Sequence, residues 1–242
     1  MLTKVKGIVI SKINYSDSSV IAKVFTNVYG LQSYLISGVK SNKGAIKQSH
    51  LMPLNLLELD VYHQQQKNLQ RIKELKCLPV LSELHFNIKK SSIALFIAEL
   101  LHKTIKDEHV PDKALFTFLY NSIQILDATN ESVTNFPLYF MLRLSAYLGF
   151  EPKQNYSAEN NIFLLADGAF ASNVLFEPTA CSESTSEALN KLLQAGFDNL
   201  HEVKLSGMQR QALFNELMRY YELHEIGLGN LHSYKVLKQV YS

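Results

Sequence analysis

Near Pro79 the hydrophobic period of this chain changes from two residues to between three and four, so the fold must combine a sheet with a helical part. Before Pro79, Val20, Ala22 and Val24 alternate with Ile21, Lys23 and Phe25. Leu57, Leu59 and Val61 alternate in the same way with Glu58 and Asp60. A period of two places one set of side chains inward and the other outward on a strand. The pattern predicts strands over residues 5–10, 18–26, 31–39, 56–62 and 68–75. Asn27-Val28-Tyr29-Gly30 reads as a hairpin turn, with Gly30 able to take positive φ. Five short strands joined by turns suit a small closed barrel, which leaves no exposed sheet edge. Residues 38–47, rich in Lys, Gly, Ser and Asn, lack periodicity and read as an exposed loop.

Beyond Pro79, Ile93, Ile97, Leu100, Leu101 and Thr104 fall on one helical face. Pro111-Asp112-Lys113 opens a second helix. A third starts near Asn135-Phe136-Pro137 and stops at Gly149. Residues 150–182 form an irregular insertion with a small hairpin expected about Asp167-Gly168. Helices are expected again over residues 184–194, from Ser206 to about His224, and over 232–240. The fold class is α+β: a barrel domain over residues 1–80, then a mainly helical domain over 81–242.

The net charge of +2 conceals a division. Residues 1–80 hold eleven Lys/Arg against four Asp/Glu, and the remainder thirteen against eighteen. A basic front and an acidic rear point to a polyanion as partner of the barrel. Lys12, Lys23, Lys40, Lys43, Lys47, Lys67 and Arg71 are interleaved with Tyr15 and Tyr34. Nucleic acid requires that mixture, cations for phosphates and flat rings for bases. The same residues also suit a solvated lysine-rich face over core tyrosines.

Other chemistries lack their residues. The loop at 38–47 has Gly44-Ala45-Ile46 where a phosphate-cradling P-loop needs Gly-Lys-Ser/Thr. The eight histidines are scattered, with no pair at the i, i+4 spacing of a helical metal site. Two cysteines, Cys77 and Cys181, are too few for a disulfide framework and imply a reducing, cytoplasmic setting. Neither a secretion signal nor a membrane-spanning apolar stretch is expected. Catalysis is not expected. A scaffold binding an acidic protein is the first alternative, and a nuclease the second.

Several segments carry a family likeness, in order along the chain. They run from Gly7-Ile-Val-Ile-Ser-Lys-Ile-Asn-Tyr-Ser-Asp-Ser18 through Val24-Phe-Thr26, Tyr29-Gly30 and Ser37-Gly-Val-Lys40 to Leu51-Met-Pro-Leu54 and Leu56-Leu-Glu-Leu59. Leu142-Arg-Leu-Ser-Ala-Tyr-Leu-Gly-Phe-Glu-Pro152, Tyr221-Glu-Leu-His-Glu-Ile-Gly227 and Leu231-His-Ser-Tyr-Lys-Val-Leu237 continue the likeness to the end.

In that order the segments resemble the RecO family of bacterial recombination mediators, and the resemblance implies an OB-fold barrel and a helical domain. It implies binding and annealing of single- and double-stranded DNA, association with RecR, and help in loading RecA onto DNA coated by single-strand-binding protein. A nucleoid-associated place in the cytoplasm follows from that. Lys12, Tyr15, Lys40 and Lys43 match barrel segments implicated in DNA contact. Leu142, Arg143 and Tyr147 mark the region where some relatives dock the acidic tail of single-strand-binding protein. The paired arginines of those relatives correspond here to Leu138 and Tyr139. Many relatives also carry two Cys pairs after the Leu-Gly-Tyr/Phe motif. Residues 154–160 have none, so a degenerate zinc loop and no cofactor are expected.

Overall fold

The computed structural model describes residues 2–39, 45–105, 111–172 and 177–241. They fall into two compact units, Met1–Thr129 and Asn130–Ser242. The first contains a closed five-stranded barrel of β1 (Leu2–Asn14), β2 (Val20–Thr26), β3 (Gly30–Ile36), β4 (Leu56–Tyr62) and β5 (Leu69–Cys77). The strand order around it is β1-β2-β3-β5-β4, an OB-like closure. β1 is far longer than its apolar core, residues 5–10. Its first half pairs with β4 and its second half with β2, and the ladder carries polar Ser11, Lys12 and Asn14 beyond the alternating segment. Pairing partners, not local propensity, set its length. A short parallel contact of β3 with β5 closes the barrel.

The interior is filled by Val5, Val9, Ala22, Val24, Tyr34, Leu57, Leu59 and Val61, among others. Gly7 belongs to this interior for a steric reason. A Cβ there would stand 2.5 Å from Val24 Cγ1 and 3.1 Å from Leu59 Cδ1. The β2–β3 turn is the expected one, with Gly30 at φ 65° and the Thr26 hydroxyl donating to the Gly30 carbonyl at 3.0 Å. A single 3-10 turn, Gln48–Leu51, precedes β4 and places buried Leu51 in the barrel core.

Two helices complete this unit, α1 (Ile88–Thr104) and α2 (Lys113–Ala128). Asn87 and Asp112 cap them, each side chain accepting two backbone N–H groups of the first turn. α1 packs on β1, while Phe116 of α2 covers outward-facing Phe25 of β2 at 6.0 Å. The unit built on the barrel therefore extends past Pro79 to Thr129. Asp127, at the end of α2, accepts the backbone N–H groups of Ser82, Glu83 and Leu84 at 3.2, 2.8 and 2.7 Å. This bond set fixes the connection that leaves β5.

The second unit contains α3 (Phe136–Tyr147), the hairpin of β6 (Ile162–Leu164) and β7 (Ala169–Ala171), α4 (Glu183–Leu193), α5 (Gly207–Leu223) and α6 (His232–Tyr241). Gly149 ends α3 at φ 93° and Gly168 turns the hairpin at φ 59°, as their positions in the sequence suggest. Ser206 and Gln209 form a reciprocal capping box at the start of α5. α3 and α4 both pack on α5, whose Leu213, Phe214, Leu217, Tyr220 and Tyr221 are buried.

Candidate nucleic-acid interface

Residues paired across a ladder share a face, so the register sorts the barrel's charges by side. On β1, β4 and β5 the outward rows read Lys6–Glu58–Lys76 and Lys4–Asp60–Glu74. These rows gather three of the four carboxylates of residues 1–80 onto one face. Every lysine there has an acidic cross-strand neighbour. A shallow cavity of about 340 Å³ lies over the two rows. Lys6 also stands 5.3 Å from the centre of the Tyr120 ring.

The outward face of β2, β3 and the start of β5 is different. One row reads Ser11–Lys23–Ser33–Leu69, and the next Ile13–Ile21–Leu35–Arg71–Tyr62–Leu2. No carboxylate stands in either row. Ile13 is 63% exposed and Tyr62 46%, so apolar and aromatic surface lies open beside the cations. Lys67, exposed in the β4–β5 turn, lies two residues before Leu69. Tyr15, 62% exposed, follows directly on β1, and Asp17 is the nearby acid in sequence.

The expected residues divide among different places. Lys23, Lys67 and Arg71 border the open face. Lys12 pairs with Ala22, a barrel-interior position, so its stem starts on the other side of the ladder. Its ammonium group donates to the Gln48 carbonyl at 3.2 Å, and burial pushes its pKa down. Lys47 is half-buried beside the 3-10 turn, its backbone N–H bonded to His50 Nδ1. Lys40 and Lys43 lie outside the described residues. Tyr34 is enclosed in the barrel, 0% exposed, with burial raising its phenol pKa. Its ring offers no face to a base; alternation along β3 decides this, since Tyr34 pairs with Ala22. Sequence reasoning missed Ile13, Ile21 and Leu35. Ile21 lies two residues before Lys23, the period of one strand face, whereas Ile13 and Leu35 join that row only across the ladder.

In the second unit, Leu142 is 2% exposed and belongs to the core, which removes it as a docking contact. Arg143 is at the surface, 3.9 Å from Glu151, and Tyr147 is half-buried. A larger cleft of about 560 Å³ opens between Pro137 and Leu138 of α3, Met208 and Phe214 of α5, and Tyr234 and Leu237 of α6. Phe214 and Tyr234 stack at 3.4 Å to form part of its wall. The charged lining residues are Arg210 and Lys238, both cationic.

The described residues do not fit a zinc site. Tetrahedral zinc takes four ligands, commonly thiolates or imidazoles. Among the described residues no three His, Cys, Asp or Glu side chains converge as a metal site requires. Cys181 is buried, and its desolvated thiol is pushed up to about 12. Among the described residues, no helix is long and apolar enough to cross a membrane.

An OB-like closed barrel followed by a helical unit defines the fold class of this protein. Residues 1–80 match the family model described as recombination protein O N terminal, and residues 85–234 the one described as recombination protein O C terminal. The chain is 33% identical over 241 residues to the DNA repair protein RecO of Azobacteroides pseudotrichonymphae. It is 34% identical over 243 residues to that of Flavobacterium psychrophilum and 32% over 242 to that of Phocaeicola vulgatus. In each comparison 100% of both chains is covered. The chain belongs to the RecO family.

Proposed function

We propose that this protein is a DNA-binding recombination mediator that acts by association, without covalent chemistry. The observation that carries the reading is the sorting of charge on the barrel. Carboxylates collect on the β4–β5 rows, while Lys67 and Arg71 stand beside an apolar strip on the other face. A phosphate backbone drawn to those cations would bring its bases over Ile13, Tyr15 and Tyr62. Two complementary strands held on one cationic surface repel each other less, which favours annealing. In this reading the protein works with RecR, and promotes RecA loading on DNA coated by single-strand-binding protein.

The acidic, apolar tail of single-strand-binding protein would dock in the α3–α5–α6 cleft. Arg210 and Lys238 supply cations there without a neighbouring lining carboxylate. This differs from the region of Leu142, Arg143 and Tyr147. The experiment is an anisotropy titration with single- and double-stranded oligonucleotides at several salt concentrations. A steep fall of log K with log[salt] is expected; a flat response refutes phosphate-driven binding.

A further inference from the structure

The family resemblance implies a metal-bound loop after α3, yet the side chains there do not fit one. We infer that α5 replaces the metal, clasping the 150–182 lobe at three separated backbone carbonyls. The Arg219 guanidinium donates to the Pro178 carbonyl at 2.9 Å. The Tyr220 hydroxyl donates to Phe150 at 2.5 Å, and His224 Nε2 donates to Leu165 at 3.2 Å. The imidazole tautomer follows from that last partner, because a carbonyl can only accept. Residues 150, 165 and 178 are well spaced along the lobe, so three bonds from α5 and its C-cap hold its described residues at separate points.

The lobe's own contacts suit this role. The Asn155 amide bridges to Phe170 twice, donating to its carbonyl at 2.8 Å and accepting its N–H at 3.0 Å. That side chain extends the β6–β7 pairing as a third strand would. Phe150 stacks on His224 at 5.0 Å and meets Tyr220 edge-on at 5.4 Å, while Phe163 meets Phe170 at 5.0 Å. Gly168 permits the closest approach, since a Cβ there would lie 2.9 Å from the Tyr220 hydroxyl. On the α4 side, Phe163 donates its N–H to Ser186 Oγ and accepts from Cys181 N–H, both at 2.9 Å. The Phe150 carbonyl and the Phe163 N–H are thus satisfied by buried side chains from α5 and α4, the job a metal and its ligands perform when a loop lacks a core of its own.

The test uses the full chain. Metal content is measured by plasma mass spectrometry. Hydrogen exchange of residues 150–171 is then followed with and without EDTA and 1,10-phenanthroline. Metal well below one equivalent, with exchange and melting temperature unmoved by chelator, is expected. Tyr220→Phe, which keeps the ring, and His224→Gln should each speed exchange in the lobe roughly three- to tenfold, the scale of one net hydrogen bond. The barrel's exchange should not change, which also reports that the variants fold. A stoichiometric metal whose removal loosens the lobe overturns the inference. So does a lobe whose exchange ignores both substitutions.

Discussion

Lys12 and Lys23 lie on opposite faces of the β1–β2 ladder, although Lys12 pairs with Ala22, the immediate neighbour of Lys23. Lys23 shares its outward, half-buried row with Ser11 and Ser33, whereas Lys12 turns over the barrel end to the Gln48 carbonyl. Lys23→Ala and Arg71→Ala should therefore each flatten the slope of log K against log[salt] by about one. Glu58→Ala and Asp60→Ala should not flatten it, because their two rows lie on the other face. Equal slope losses at Lys23 and at the acidic positions, read by anisotropy across salt, would break the link between register and binding.

Exposure separates two tyrosines that look alike in the sequence. Tyr15→Ala should weaken single-strand binding by about 1–3 kcal/mol if its ring stacks a base. The melting temperature should hardly move, since the side chain is exposed. Tyr34→Phe is the control. The Tyr34 hydroxyl is buried without a hydrogen-bond partner, so its removal should leave DNA affinity unchanged and stability equal or higher. Loss of affinity in Tyr34→Phe at constant stability counts against this assignment of faces.

Asp127 serves three backbone donors with one carboxylate, and its own carbonyl accepts from buried Lys90 Nζ at 2.7 Å. Truncation leaves those N–H groups without their acceptor. Asp127→Ala should destabilise the barrel-containing unit by about 3 kcal/mol, a value set by charge-assisted bonds that do not add fully. Urea unfolding followed by circular dichroism measures it. A change below about 0.5 kcal/mol would mean water replaces the carboxylate without cost.

Cys181 gives a pH signature. Its thiol is pushed up to about 12 when folded, chiefly by desolvation, and stands near 8.5 in an unfolded chain. Below the unfolded value both states hold the proton, so the stability contribution is complete. As pH rises from about 9 towards 12 the unfolded chain alone loses it, and stability falls. Burial raises the Tyr220 and Tyr221 phenols too, with the same sign. Urea midpoints measured from pH 7 to 11 should be level, then decline above about 9. A thiol reagent at pH 8 should modify Cys181 far more slowly in folded than in unfolded protein.

The sequence alone determined the barrel, the helices and their stops. Alternation at residues 20–25 and 57–61, the turn at Gly30 and the cap at Ser206 are local signals, and local backbone chemistry answers to them. The excess of cations in the first 80 residues was equally legible. Which cations share a surface was decided only by the tertiary structure, because cross-strand partners distant in sequence set each face. Glu58 stands beside Lys6, and Arg71 beside Leu35, through register alone. Tyr34 went inside with its ladder partner Ala22, and Tyr15, beyond the end of β1, stayed out. The α5 clasp joins residues 41 to 70 positions apart, as with Arg219 to Pro178 and Tyr220 to Phe150, and no periodicity announces such a bond.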